Sequence, residues 1–164
     1  MNITRWLSAF VALAMSSCAS APIALDVPWT GIYRVTSATA FDDAKSPTGK
    51  RNIAGGMQAV EPTTNIPAIL GIRFGVSYSV RDVEISKPVD IEIIWRYPEG
   101  GITNSRTGVT SSTDRFTQRC NIGSTCTAGY YFREPWELKT GKWTLELWYE
   151  SRQLLMQQFN VFEP

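Results

Sequence analysis

The sequence of 164 residues contains no histidine. This absence excludes histidine-dependent catalytic triads, histidine zinc sites and the usual side-chain pH switch near neutrality. Charge of one sign is also lacking, because 16 Lys and Arg stand against 15 Asp and Glu. That balance argues against a protein that coats nucleic acid or an anionic membrane surface. Apolar residues make up 43% of the chain, which is enough to form the core of one domain.

The apolar segment at residues 6–15 is too short to cross a bilayer as a helix, which needs about 20 residues. It follows Arg5 and precedes small residues, which is typical of a secretory signal peptide. Residues 15–18, Met-Ser-Ser-Cys, are similar to the lipobox of bacterial lipoproteins, in which the cysteine receives a diacylglyceryl group and becomes the N-terminus. An ordinary cut after Ala21 is the alternative. We expect a signal peptide at 1–17, a lipidated tether at 18–28 and one domain at 29–164.

Cysteine is scarce, and the three present divide into one and two. If Cys18 carries lipid, Cys120 and Cys126 remain as a pair that flanks a polar loop containing Gly123. We expect these two to form a disulfide in an oxidising compartment. Two cysteines without histidine make a metal site improbable, and no cofactor is expected.

Apolar and polar residues alternate with a period of two along residues 72–81, 89–97 and 143–149. This period is typical of strands with one buried face. A tight reversal at 150–153 predicts a closing hairpin, whereas 41–67 reads as a long loop with one short strand near 57–60. The pattern favours an all-β fold, an antiparallel immunoglobulin-like β-sandwich of seven to eight strands, with a small β-barrel as the alternative.

Several segments resemble a bacterial family of exported domains of unknown function. The residues that carry the resemblance are 66–75, the Pro-Trp-Glu-Leu turn at 135–138 with its flanks, Trp148-Tyr149 and 158–161. The likeness extends from about residue 31 to residue 161. It implies an exported β-sandwich and supplies no catalytic residues.

Aromatic residues are plentiful and provide the candidate binding residues. Trp95 and Trp143 fall on predicted core faces, whereas Trp148 falls on the opposite face of its strand beside acidic residues. An exposed tryptophan there could stack on a sugar or anchor a partner protein. Packing beneath the 41–67 loop is the alternative reading of Trp148. Trp136, in the predicted turn, could instead plug one end of the sandwich.

Two acidic residues, Glu134 and Glu137, flank Trp136 and form the second candidate group. A pair of carboxylates in a cleft is what glycoside hydrolysis requires. Hydrogen bonds to backbone amides or to Arg133 are the structural reading, and we favour it. The basic residues Arg96, Arg106, Arg115 and Arg119 could face an acidic polymer, although a solvated face is the simpler interpretation.

These observations favour a non-enzymatic lipoprotein of the cell envelope. Because Ala19 rather than Asp follows Cys18, we expect the outer membrane, with the domain facing the periplasm; soluble periplasmic or secreted protein is the alternative. The domain is expected to engage an envelope protein or glycan, not nucleic acid, through an aromatic surface or an edge strand. Two alternatives stay open, namely a carboxylate-based glycan hydrolase and a lipoprotein that neutralises a delivered toxin.

Overall fold

The computed structural model describes residues 23–81 and 87–164, which form an all-β chain. The strands in these ranges are β1 (Ala24–Asp42), β2 (Lys50–Glu61), β3 (Asn65–Pro67), β4 (Arg73–Arg81), β5 (Pro88–Arg96), β6 (Ile102–Thr103), β7 (Thr110–Ser111), β8 (Thr113–Asn121), β9 (Thr125–Tyr131), β10 (Gly141–Tyr149) and β11 (Arg152–Phe162). A 3-10 turn occupies Pro135–Glu137. Three strands, β3, β6 and β7, have only two or three residues. The longer strands match the seven to eight that the sequence predicts.

Two sheets pack face to face. Sheet A has the order β2-β1-β4-β9 and is antiparallel throughout. Sheet B has the order β3-β11-β10-β5-β8 and is antiparallel except where β3 joins β11. Strands β6 and β7 form a separate short hairpin. The described sheets do not close on themselves, so the predicted sandwich is confirmed and the small barrel is not formed.

Aromatic rings from both sheets interlock to form the core. Phe74 of sheet A meets Trp95 and Phe159 of sheet B at ring-centroid distances of 5.4 Å and 5.2 Å, edge to face in both cases. Trp143 is fully buried against the same ring, 6.0 Å away. Such pairs contribute about 0.5–1.5 kcal/mol each beyond the burial of their area. Trp95 and Trp143 therefore occupy the core positions that the sequence predicts.

The predicted disulfide between Cys120 and Cys126 is present. Cys120 lies on β8 and Cys126 on β9, so the bond joins sheet B to sheet A where the two edge strands follow each other in the chain. The Tyr78 hydroxyl lies 3.2 Å from the Cys120 sulfur and 3.0 Å from Oε1 of Gln118. The edges of the two sheets are thus joined by the disulfide and by the contacts of the Tyr78 hydroxyl.

The longest strands, β1 and β2, continue beyond sheet A. Strand β1 pairs with β4 only from Ala24 to Ile32, but it pairs with β2 as far as Asp42 opposite Lys50. The register shifts between Ile32 and Tyr33, as expected where a ribbon leaves its sheet. We call residues 33–59, the two paired segments and the turn between them, the ribbon.

The ribbon corrects the predicted loop at 41–67. Strand β2 spans Lys50–Glu61, whereas the sequence suggests one short strand near 57–60. No residue of β2 is fully buried. The strand therefore has no buried face, and its sequence lacks the alternation of apolar and polar residues that would have predicted a strand. Gly55 and Gly56 interrupt it further. Backbone hydrogen bonds to β1, rather than burial of one face, make this segment a strand.

The N-terminal boundary also differs from the prediction. Strand β1 begins at Ala24, and residues 24–26 pair with β4, so the described end of the predicted tether belongs to sheet A. The predicted signal peptide, Cys18 and the rest of the tether lie outside the described residues. Within the described ranges, no helix is long and apolar enough to cross a membrane.

Replacing both disulfide cysteines, as Cys120→Ala with Cys126→Ala, should lower the free energy of unfolding by about 2 kcal/mol. The loop that the bond closes is short, so the gain from restricting the unfolded chain is modest. Denaturant unfolding with and without reductant measures the effect. Reductant should destabilise the parent and leave the double variant unchanged; a parent insensitive to reductant would contradict a role for this bond in joining the sheets.

Candidate binding cleft

The ribbon folds over the outer face of sheet A. Val76 and Tyr78 point into the core, so Ser77 between them points to the outer face of sheet A. Ser77 is nevertheless only 5% exposed, because another part of the chain covers that face. The ring of Tyr33 lies against Gly129, where an added Cβ would come within 1.9 Å of the Tyr33 hydroxyl. Glycine at 129 therefore permits the close approach of the ribbon to β9.

A cleft of about 880 Å³ lies between the ribbon, the outer face of β4 and β9, and strand β8. Its volume is within the range of about 300–1,000 Å³ that small-molecule sites have in proteins. Trp95 of β5 also contributes to the lining, so the cleft reaches the gap between the two sheets. This cleft is the candidate functional site.

Arg51 joins the ribbon to sheet B, and we call its contact with Asp114 the latch. Its Nη1 and Nη2 donate to the two carboxylate oxygens of Asp114 at 3.0 Å and 2.7 Å, and its Nε donates to Asp43 at 2.5 Å. The guanidinium also lies 4.1 Å from the centre of the Phe116 ring. Burial alone would lower the pKa of Arg51, but the two carboxylates raise it above its usual value. Because β8 carries Asp114 and Phe116, the latch fixes the mouth of the cleft.

Two further arginines form the rim on the β4–β9 side. The Arg73 guanidinium lies 3.7 Å from the centre of the Tyr131 ring, and that of Arg133 lies 5.5 Å from it. In the part of the chain that the structure describes, no carboxylate lies within ion-pair distance of either group. Arg73 partly offsets the effect of burial on Tyr33, whose pKa is raised to about 12.

The inner end of the cleft adjoins buried polar atoms of the core. The Trp95 indole N–H is buried and makes no hydrogen bond with any described residue. The Tyr130 hydroxyl is buried beside the Tyr97 hydroxyl, with which it interacts. Burial raises the pKa of Tyr130 well above its usual value, so this hydroxyl stays protonated.

The predicted acidic pair does not converge on one point. Oε2 of Glu137 accepts hydrogen bonds from the backbone N–H groups of Arg133 at 2.5 Å and Glu134 at 3.0 Å. Glu134 instead lies 3.6 Å from Arg106. Desolvation raises the pKa of Glu137, because its side chain is almost fully buried at the cleft wall. Glu137 therefore accepts hydrogen bonds from backbone amides, which is the structural role that the sequence analysis favours for this residue.

The two candidate tryptophans lie away from the cleft. Trp136 is half-buried and packs against the core. Trp148 is also half-buried, on the outer face of sheet B, and its indole N–H donates to Oε2 of Glu146 at 2.9 Å. Glu146 in turn accepts from Arg96 at 2.5 Å. The hydrogen bond from Arg96 is the main reason that the pKa of Glu146 is lowered.

Of the four arginines that line the cleft, only Arg119 belongs to the basic group that the sequence singles out; Arg51, Arg73 and Arg133 do not. The members of that group, Arg96, Arg106, Arg115 and Arg119, each lie within 4 Å of a carboxylate: Glu146, Glu134, Glu92 and Asp90 in turn. Arg73 stands in an alternating strand, where it reads as an ordinary solvent-facing residue. The pairing of Arg73 opposite Tyr131 is a property of sheet register, which sequence spacing alone does not reveal.

Comparison with known proteins identifies the family. The model of DUF3859, a domain of unknown function, matches residues 23–161. The chain belongs to the DUF3859 family. This confirms the resemblance to a family of unknown function. No curated protein matches the chain.

A solved structure agrees with the fold. The crystal structure of an immunoglobulin-like protein from Pseudomonas aeruginosa is similar to this chain, with a TM-score of 0.64 and 23% identity. The match covers 88% of this chain and 99% of that one. At this identity the likeness shows the fold alone, and it confirms the immunoglobulin-like architecture.

Glu137 allows a direct test of its structural role. Glu137→Ala leaves two partly buried N–H groups without their acceptor and should cost about 1–3 kcal/mol of unfolding free energy, whereas Glu137→Gln keeps an acceptor and should cost less. Because the pKa of Glu137 is raised in the folded state, its ionisation lowers stability as pH rises above its usual pKa, and Gln removes that dependence. Denaturant unfolding between acid and neutral pH measures both effects. Equal stability of the Ala variant and the parent would contradict a stabilising role for the two hydrogen bonds that Glu137 accepts.

Proposed function

We propose that this chain is an exported, non-enzymatic binding domain that recognises a component of the cell envelope through the cleft beneath the ribbon. The observation that carries the proposal is the rim of the cleft, where Arg73 and Arg133 form no ion pair with any described residue, although the charge of Arg133 also acts on Glu137. Partner-free guanidinium groups beside an enclosed volume are suited to ligand capture.

The acidic residues of the cleft favour binding over catalysis. Both oxygens of Asp114 accept hydrogen bonds from Arg51, and Glu137 accepts two backbone N–H groups. The chain has no histidine that could act as a general base. The side chains around the cleft are therefore arranged to hold its shape and to present donors.

The proposed location rests on the leader and the disulfide. A disulfide between Cys120 and Cys126 is typical of proteins that fold in an oxidising compartment. The lipobox-like residues ending at Cys18 favour a lipid anchor at the outer membrane, with the domain facing the periplasm. A terminus with more than one acyl chain would hold the domain stably at the membrane.

Mass spectrometry of the mature N-terminus tests the proposed anchor. We expect a chain that begins at acylated Cys18, and we expect a Cys18→Ser variant to lose the acyl mass and to leave the membrane fraction. A free terminus after Ala21 would contradict the anchor and leave a soluble exported protein. An uncut chain would contradict export through this leader.

Site-specific photo-crosslinking tests the binding surface. A photoreactive residue at Thr125, which is exposed on the outer face of β9 and lines the cleft, should capture one dominant envelope component in native cells. The matched position is Met156, which is 58% exposed and lies opposite Glu146 on the outer face of sheet B, near Trp148.

Capture from Thr125 but not from Met156 supports the cleft. Capture from Met156 alone would contradict the cleft and favour the Trp148 surface that the sequence suggests. Capture from neither position would contradict a binding function for the domain as a whole.

A further inference from the structure

We propose that the partner bound in this cleft is an extended, acidic segment of another polypeptide, which adds to the free edge of β8 as a further strand of sheet B. This inference rests on the proposed function and names the kind of envelope component that the same site takes. It is carried by the juxtaposition of an unpaired strand edge with exposed apolar side chains of the ribbon across the cleft.

Strand β8 is the last strand of sheet B and pairs on one side only, with β5. The carbonyl of Arg115 points away from β5, since it accepts a hydrogen bond from Nη2 of Arg51 at 3.4 Å. Backbone groups of an antiparallel strand alternate between its two sides, and the register with β5 has no shift. The N–H and C=O groups of Thr117 and Arg119 therefore point the same way, and no described strand pairs with them.

The cleft meets this edge rather than a face of sheet B. Residues 116–119 line it without a gap, although successive side chains of a strand point to opposite faces. The side chain of Arg119 pairs with Asp90 on the outer face of sheet B, and the side chain of Thr117 shares that face. Thr117 and Arg119 therefore offer backbone groups to the cleft.

The side chains along this edge do not protect it. Edge strands often carry charged side chains that hinder the addition of another strand. The guanidinium groups of Arg115 and Arg119 are instead bound to Glu92 and Asp90, both of which lie on β5. The edge at Thr117 is therefore open to a further strand.

The ribbon supplies an apolar wall across the cleft from this edge. Opposite residues of an antiparallel pair share one face, which places Phe41, Ile53 and Arg51 together. Arg51 reaches Asp114 of β8 from that face, so the face is turned toward sheet B. Phe41 is 43% exposed and Ile53 is 70% exposed, and both line the cleft. Alternate apolar side chains of an added strand would cover them.

The charge of the cleft favours an acidic segment. Arg73 and Arg133 line it and form no ion pair with any described residue. The Arg73 guanidinium stacks 3.7 Å from the centre of the Tyr131 ring, and stacking leaves its N–H edges free for a carboxylate. Acidic side chains of the segment would therefore meet uncompensated positive charge at the rim.

The edge of β9, which also borders the cleft, is less suited to strand addition. Its Thr127 carbonyl already accepts a hydrogen bond from Nε2 of Gln118 at 3.3 Å. The Tyr33 hydroxyl lies 1.9 Å from the place that a Cβ on Gly129 would take. Both contacts occupy the middle of β9, so β8 is the strand that a segment would join.

Calorimetric titration of the purified chain with two heptapeptides tests the inference. The probe is acetyl-Asp-Val-Thr-Val-Thr-Val-Asp-amide, and its control carries Lys in place of both Asp residues. We expect saturable binding of the acidic peptide and at least about tenfold weaker binding of the basic one. Failure of both to bind would overturn strand addition, and a basic peptide of equal or higher affinity would overturn the acidic character of the partner.

Backbone methylation of the acidic peptide tests the hydrogen bonding. Methyl groups on the amide nitrogens of the three Val residues block one edge of the extended peptide, and methyl groups on those of the two Thr residues block the other. Only one edge can face β8, so one methylated peptide should bind at least about tenfold more weakly than the other. Equal affinities of the two would overturn strand addition.

A pair of variants places the interaction on β8. Thr117→Pro removes an N–H that points away from β5, so the ladder between the two strands stays intact. Thr117→Val keeps the N–H and is the matched control. We expect Thr117→Pro to weaken binding of the acidic peptide at least about tenfold and Thr117→Val to leave it unchanged. Unchanged affinity in Thr117→Pro, or equal weakening in both variants, would overturn backbone pairing at this residue.

Amide hydrogen exchange in the parent gives the same information if Thr117→Pro fails to fold. Saturation with the acidic peptide should slow exchange at Thr117 and Arg119. The amides of Phe116 and Gln118 point toward β5 and serve as internal controls, whose exchange should change less. Unchanged exchange at Thr117 and Arg119 would overturn the proposal.

The two proposals fail separately. If the peptides do not bind while a photoreactive residue at Thr125 still captures an envelope component, strand addition is wrong and the binding function stands. Capture of a glycan or lipid alone gives the same result. If the peptides do not bind and nothing is captured, both are wrong.

Discussion

The ion pair between Arg51 and Asp114 is the contact on which the shape of the cleft depends. It joins two residues 63 positions apart, one on the ribbon and one on the edge of sheet B, and both side chains are largely removed from solvent. Removing one partner of such a pair typically costs about 3–5 kcal/mol, because the other charge is left buried and unpaired. The geometry is specific as well, since the guanidinium binds both oxygens of one carboxylate. The ribbon is thereby held in one place.

The sandwich beneath provides the rigid surface that this latch requires. Phe74, Trp95 and Phe159 lock the two sheets together through ring contacts, and the bond between Cys120 and Cys126 ties their edges. Rigid strands place Arg73 opposite Tyr131 and leave Gly129 free for the ribbon. The side chains of Trp95 and Tyr130 belong to the core and also line the cleft. The packing of the core therefore shapes the inner end of the cleft.

Particular residues show why the fold could be predicted from sequence and the cleft could not. Strands β4, β5 and β10 bury one face, so their alternation is visible in the sequence, and the cysteine pair follows from chain spacing. Strand β2 buries no face, so it gave no such signal. The alternation along β10 correctly predicts that Trp148 lies on the outer face of the sheet. Its hydrogen bond to Glu146 could not be predicted in this way, because it depends on the geometry of β10. Likewise, Arg51 and Asp114 come together only through the curvature of the ribbon.

A distance measurement tests most directly whether the contact between Arg51 and Asp114 holds the ribbon in one place. Spin-labelled amino acids introduced at Lys45, in the ribbon turn, and at Thr117, on β8, report the separation across the mouth of the cleft by pulsed electron paramagnetic resonance. We expect one narrow distance distribution in the parent and a broad, longer one in an Arg51→Gln variant. A broad distribution in the parent, or an identical narrow one in both, would contradict it.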